Sequence, residues 1–281
     1  MFVSFKVLVL SLFLLPLLLR ADAANDASTD ASGGVPKPEV DLPFPVGESL
    51  EYDIYWGWIG VGHSVATTRW EWVEDRWMIV IRFRTTSSGI ANRLYPVDDL
   101  VESFIDAETL RPVRFTTVLS AGDQHRDEET IFDWETKTAH YTRRRKGDRE
   151  DDTLTYEIQE NTRDLVSFMY FMRNTEFEPG EQHHFEVVVN DKLYELEANT
   201  RHYENINLKQ YGRVRSLQID PRASFEGVFV RRGEMSVWLA DDPRRILTKL
   251  EVDTPWAKVK LLLRNVRGPG DDHWIEKAED E

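Results

Sequence analysis

Apolar side chains recur at every second residue through most of this chain, and that period decides what it can become. Leu50, Tyr52, Ile54, Trp56 and Trp58 alternate with Glu51, Asp53, Tyr55 and Gly57. Trp77, Ile79, Ile81 and Phe83 alternate with Met78, Val80, Arg82 and Arg84. Val113, Phe115, Thr117 and Leu119 form a third run. Phe185-x-Val187-x-Val189, Met235-x-Val237-x-Leu239 and Val259-x-Leu261-x-Leu263 extend the pattern to the far end. Successive side chains of a strand point to opposite faces, so each run gives one apolar and one mostly polar face. This is the pattern of an antiparallel sheet with one wet side, not of a doubly wound parallel sheet buried on both faces.

One stretch breaks the period. In Asp164-Leu-Val-Ser-Phe-Met-Tyr-Phe-Met-Arg173, the residues Leu165, Phe168, Met169 and Met172 fall at i, i+3, i+4 and i+7, which predicts a helix over 164–174. Val166 and Phe171 widen its apolar face. Thr162 or Asp164 is placed to cap its start, and Arg173 meets the negative end of its dipole. Pro179-Gly180 marks the turn after it. Burying each large apolar side chain contributes roughly 1.5–3 kcal/mol, so the helix is expected to lie against a sheet.

The strand-rich stretches on either side, 44–160 and 175–267, look alike in plan. In the first, a strand runs through Asp106 to Arg111 and a second strand leaves. In the second, Val237-Trp-Leu-Ala-Asp241-Asp-Pro-Arg244 does the same. Asp favours such turns because its side chain bonds the backbone two residues on. An internal duplication and two unrelated meanders are both open readings. Residues 24–43 carry Ala, Asp, Ser, Gly and Pro and few large apolar groups, and are expected to form a disordered linker. Gly268-Pro-Gly270 is expected to end the fold, leaving a loose acidic tail over 268–281.

The N-terminus reads as a targeting segment. Lys6 precedes an apolar run, Val7–Leu19, and Ala21-Asp-Ala23 offers small residues at a cleavage site, so residues 1–23 have a signal-peptide pattern. The run of about 13 residues is shorter than the roughly 20 a spanning helix needs. No membrane-spanning segment is expected after cleavage. The chain has no cysteine, which removes a lipid-modified cysteine anchor, disulfides, a thiol nucleophile and thiolate zinc sites, and fits a bacterial periplasm. The net charge is −15. Loss of Lys6, Arg20 and Asp22 with the signal makes it −16, from 33 basic and 49 acidic residues. Such a balance disfavours nucleic acid as a partner.

Three stretches together resemble the domain-of-unknown-function 3108 family of exported bacterial proteins. They are Val46-Gly-Glu-Ser-Leu-Glu-Tyr52 with Trp56-Gly-Trp-Ile-Gly-Val-Gly62, then Asp164–Arg173, then Val237-Trp-Leu-Ala-Asp-Asp-Pro-Arg-Arg245. Ile246 stands where that family's pattern has proline. The resemblance implies an envelope β-protein and no particular activity. The strand–turn–strand is also similar to the open barrel of lipoprotein-carrier proteins, which wrap a curved sheet around a helix and bind acyl chains. This is an analogy of fold alone.

Candidate site residues follow from chemistry. The nine tryptophans include the pairs Trp56/Trp58 and Trp70/Trp72. At i, i+2 on a strand such a pair shares one face, either as core or as a platform for sugar rings and acyl chains. Trp70 and Trp72 are the better ligand candidates because Arg69, Glu71 and Glu74 mark an exposed strand end. Gly57, Gly60 and Gly62 read as a turn or bulge, since no helix follows to receive a phosphate. Arg93 and Tyr95, in the polar loop Ile90–Asp99, are candidates for a ligand rim. Asp242 with Arg244 and Arg245 is the most distinctive polar cluster, read either as a fixed turn or as an anion-binding rim. The seven histidines show no ligand spacing on a helix, so no metal or other cofactor is assigned, and no catalytic residue either.

The expected fold is mainly β: two antiparallel meanders forming a curved sheet or open barrel, with one central helix packed on it. The expected role is a noncatalytic periplasmic protein binding an amphiphile, a glycan or an envelope protein. One alternative is an assembly factor that contacts an envelope protein through a sheet edge. Another is a hydrolase of envelope polymers, which would need converging carboxylates in a cleft.

Overall fold

The computed structural model describes residues 34–121, 124–145, 150–189, 191–225, 228–229, 235–254 and 257–275. The expected signal segment, residues 24–33 and residues 276–281 lie outside them. Eight strands come first: β1 (Ser49–Trp56), β2 (Ile59–Val73), β3 (Arg76–Ser87), β4 (Asp98–Asp106), β5 (Pro112–Ala121), β6 (Gln124–Asp133), β7 (Thr138–Arg144) and β8 (Asp152–Glu157). A short helix, α1 (Gly89–Leu94), sits between β3 and β4. Then come β9 (Thr162–Asp164) and the helix α2 (Leu165–Asn174). The second series is β10 (Gln182–Val189), β11 (Lys192–Leu208), β12 (Gly212–Phe225), β13 (Val228–Phe229), β14 (Met235–Ala240), β15 (Leu247–Asp253) and β16 (Lys258–Arg267).

All the strands join one 16-stranded sheet in the order β8-β7-β6-β5-β4-β3-β2-β1-β16-β15-β14-β12-β11-β10-β9, with β13 on β12. Two meanders therefore meet along a seam, β1 against β16. The sheet is open and does not close into a barrel. Every pairing is antiparallel except β9 with β10. The alternation read from the sequence fixes the inner face: Leu50, Tyr52 and Ile54 of β1, and Ile79 and Ile81 of β3, are almost fully buried.

The sheet curves around α2, whose side chains reach two buried clusters. Phe168 and Met172 pack with Leu50, Phe185, Leu217 and Trp238, while Val166 and Tyr170 pack with Phe44, Ile79, Ile81 and Phe115. Asp164 caps the helix as anticipated. Its Oδ1 accepts from the Val166 and Ser167 backbone N–H groups, each at 2.8 Å, and Ser167 Oγ returns a contact to the Asp164 N–H at 3.1 Å. Ser103 of β4 donates to its other oxygen at 2.6 Å. The cap thus fixes the helix start to the first meander as well.

The Asp turns recur. Asp106 Oδ1 accepts from the N–H groups of Glu108 and Thr109 at 3.2 and 2.9 Å, and Asp133 Oδ1 from Glu135 and Thr136 at 2.9 and 3.0 Å. Asp242 Oδ1 does the same for Arg244 and Arg245 at 2.9 and 3.0 Å. Each turn closes on a residue in the left-handed region: Leu110, Lys137 and Arg245.

Four expectations need correction. Trp58 does not share a sheet face with Trp56: it lies in the β1–β2 turn, where Gly57 takes a φ of +61°, and it is 88% exposed. Within the loop read as Ile90–Asp99, residues 90–94 are helical and Asp98 and Asp99 begin β4. Residues 34–43, expected as part of a loose linker, have no strand pairing, yet Val40 and Leu42 pack on the core and the Trp77 indole N–H donates to the Val35 carbonyl at 3.0 Å. Residues 268–275, expected to be loose, fold back and bury Trp274 completely. In the last two cases polar composition outweighed a few apolar anchors in the reading. Among the described residues, no helix is long and apolar enough to cross a membrane.

Candidate functional site

Val46–Tyr52, the end of Asp164–Arg173 and the turn after Val237–Ala240 converge at one end of the sheet, while Trp56–Gly62 lies at the other. Glu48 arrives just before β1, Arg173 in the last turn of α2, and Arg244 in the β14–β15 turn. The Glu48 side chain is fully buried. Arg173 grips it with both terminal nitrogens, at 2.5 and 2.9 Å. Arg244 donates to the same carboxylate at 2.5 Å and also pairs with Asp272 at 3.1 Å. Arg173 Nε donates to the Arg244 carbonyl at 2.9 Å, and Arg245 donates to the Arg173 carbonyl at 3.2 Å. Asp242 accepts from the Trp274 indole N–H at 2.7 Å.

Close backbone passage completes this knot. A Cβ on Gly268, whose φ is +110°, would lie 2.4 Å from the Gly47 carbonyl oxygen. Only glycine lets the chain leaving β16 cross the chain entering β1 there.

Burial alone would push the Glu48 carboxyl up. The two guanidiniums outweigh that and hold it below the usual carboxylate range. Arg173 is the mirror case: burial lowers its pKa, Glu48 raises it, and the net shift is upward. A bidentate guanidinium–carboxylate pair of this geometry is charge-assisted and directional. Its effect is to fasten α2 to both meanders at once.

Two grooves open on either side of Pro243. The larger, about 930 Å³, is shallow and runs along the Pro38–Val46 segment. Leu42, Phe44 and the half-buried Trp70 form its apolar part, and Glu39, Asp41 and Asp272 supply carboxylates. Arg244 borders it but is already engaged by Glu48 and Asp272. The smaller, about 640 Å³, is lined by Phe177, Tyr203, Asp242 and Arg245 among others. Phe168, Met172, Val166 and Tyr170 of α2 face the sheet as members of the buried clusters.

Of the residues singled out from the sequence, Trp70, Asp242, Arg244 and Arg245 gather at this end. Trp72 is close by, but it packs edge-on against Trp77 with ring centroids 5.4 Å apart and does not line either groove. Arg93 and Tyr95 lie at the opposite end of the sheet, roughly 25 Å along β3 at about 3.3 Å per residue. Arg93 is exposed on α1. The Tyr95 hydroxyl is buried without a partner, and burial, with a smaller effect of Asp99, raises its pKa to about 12.

Sequence reading assigned Arg173 only to the helix dipole, and it missed Glu48, Asp272 and Trp274 as partners. The available signal was a charged residue set inside an otherwise apolar motif, as at the end of Phe-Met-Arg173.

Residues 51–264 match the family model for a protein of unknown function, DUF3108. This span takes in Arg173 and Arg244 and begins just after Glu48. No curated protein matches the chain. Among solved structures, it is similar to the crystal structure of a beta-barrel-like protein of domain of unknown function DUF1849 from Brucella abortus. The identity is 11%, the TM-score 0.53, and the match covers 80% of this chain and 99% of the other. That likeness concerns the fold alone.

Proposed function

The chain belongs to the DUF3108 family of proteins of unknown function, and on that premise we propose that it is a noncatalytic protein, exported to the bacterial periplasm, that binds a neutral glycan segment. The observation that supports this most is the larger groove: one half-buried aromatic ring, Trp70, with the carboxylates Glu39 and Asp41 along an open, shallow trough. A flat ring packs on the apolar face of a sugar, and carboxylates accept from its hydroxyls. An anionic head group is disfavoured, because Arg244 already has two carboxylate partners. An acyl chain is disfavoured as well, since insertion beside α2 would displace packed side chains such as Phe168 and Met172. Hydrolysis finds little support at this end, where Glu48 and Asp242 are committed to holding the turns and α2.

Titration by saturation-transfer NMR against a panel of neutral oligosaccharides and soluble peptidoglycan fragments tests the reading. Saturable binding with a Kd of about 0.1–1 mM is expected, because a shallow site offers little surplus over the cost of association. Trp70→Ala and Asp41→Asn weaken it about tenfold, and Trp58→Ala leaves it unchanged. Absence of binding across the panel, or equal binding by both groove variants, overturns it.

A second reading rests on β8. This edge strand pairs only with β7, and most of its residues are exposed. An unpaired edge of this kind offers backbone donors and acceptors to another chain. Assembly through β8 predicts no saturable sugar binding in the same titrations.

A further inference from the structure

We infer that the β1–β2 turn together with α1 forms a tip that docks on an anionic phospholipid bilayer. Among the described residues, large apolar side chains with high exposure are few, and most stand at this one place. Of the eight among the described residues, five are Trp56, Trp58, Ile59, Ile90 and Leu94. Trp58 is 88% exposed, Ile90 74% and Leu94 73%. The turn and the helix are neighbours: Gly62 pairs with Ser87, and the Ser88 N–H donates to the Val61 carbonyl at 2.9 Å.

Helix α1 has no buried residue, so it adds nothing to the core. A single short helix has little stability of its own. Its Ile90 and Leu94, at i and i+4, present one apolar side to solvent. Together with the turn they make one exposed apolar tip. An apolar tip bearing tryptophan suits a lipid interface, where such side chains settle among the headgroups.

Local charge points the same way. The chain as a whole carries −15, but Arg93 on α1 and Lys260, paired in register with Tyr55, have no ion-pair partner among the described residues. The nearby Asp53 is engaged by His63 at 2.8 Å and Arg264 at 3.7 Å. The tip therefore presents uncompensated cations beside its apolar groups, complementary to an anionic leaflet.

Vesicle co-sedimentation tests this. Residues 24–281 are used, because they contain every described contact and leave out the apolar run Val7–Leu19, which would enter a bilayer by itself. Vesicles of phosphatidylcholine with 30% phosphatidylglycerol, the composition chosen for the test, are expected to take up the protein at least tenfold better than the Trp58→Glu/Leu94→Glu variant. Arg93→Glu/Lys260→Glu and 0.5 M salt are each expected to reduce uptake severalfold, as screening requires. All four side chains lie outside the core, so unchanged circular dichroism separates lost docking from lost fold. The inference is overturned if the unaltered protein stays in the supernatant or if the Trp58→Glu/Leu94→Glu variant sediments equally. It is also overturned if ultracentrifugation shows a dimer that this variant dissolves while neither form binds vesicles.

Discussion

At Asp99 the strand period turns a carboxylate inward. The same alternation that buries Ser103 and Ile105 of β4 places Asp99 on the inner face, opposite Thr85, which in turn bonds Ser64 at 2.9 Å. One oxygen accepts from the Ser120 N–H at 3.0 Å, and the other has no partner. Burial raises its pKa from 3.8 to about 7, against the lowering effect of that hydrogen bond. Between those two values the folded chain keeps a proton that the unfolded chain has released. Stability from this residue therefore falls as pH rises through the window and stays low above it. Asp99→Asn removes the dependence. Urea unfolding of the native protein should lose about 2–3 kcal/mol more between pH 5 and pH 8 than the variant does. Glu48 works in the opposite sense. Its lowered pKa gives stability that is present above the unfolded carboxylate value and lost as pH falls through the folded one.

Among the elements, α2 bears the most on the rest of the fold. Its start is tied to β4 by Asp164 and Ser103, its body fills the curve of the sheet, and its end is tied by Arg173 to segments preceding β1 and following β14. Glu48→Gln leaves the buried Arg173 guanidinium without a counter-charge and Arg244 with Asp272 alone, and is expected to cost about 3–5 kcal/mol. Arg173→Met costs less, since Arg244 still answers Glu48. The double variant is expected to be more stable than the sum of the two losses predicts, because the uncompensated charge is reduced. A double-mutant cycle by urea unfolding, read at pH 7, checks this. Strict additivity would mean that the two side chains contribute independently, against the geometry of the pair.

At the scale of the molecule, the seam matters most. β1 begins the chain's first meander and yet has β2 on one side and β16 on the other. The two meanders share α2, whose residues enter both large core clusters. Neither meander is a self-contained unit, so a single cooperative transition is expected, with tryptophan fluorescence and far-UV circular dichroism tracing coincident urea curves. A chain ending at residue 160 would lack β16 and α2 and expose the inner faces of β1 to β5. It is expected to show no native-like near-UV signal. Two separated transitions in the complete protein would contradict the seam. The two ends of the sheet also divide proposed roles, with the groove at Trp70 at one end and the apolar tip at Trp58 at the other.

Local structure was legible in the residues alone. Period-two alternation marked six of the strands, β1, β3, β5, β10, β14 and β16, the spacing of Leu165, Phe168, Met169 and Met172 identified the one core helix, and Asp106 and Asp242 identified their turns. Each depends on neighbours within a few residues, where backbone geometry dictates which side chains share a face. The tertiary structure alone decided that Glu48 meets Arg173, 125 residues away, and Arg244, 196 residues away. It also decided that Trp70 edges a groove while Arg93 lies at the far end, and that Trp274 folds back onto Asp242. Such meetings depend on strand register, on the order in which strands join and on the curvature of the whole sheet. Those are sums of many small contacts across the chain, and no single stretch of sequence encodes them.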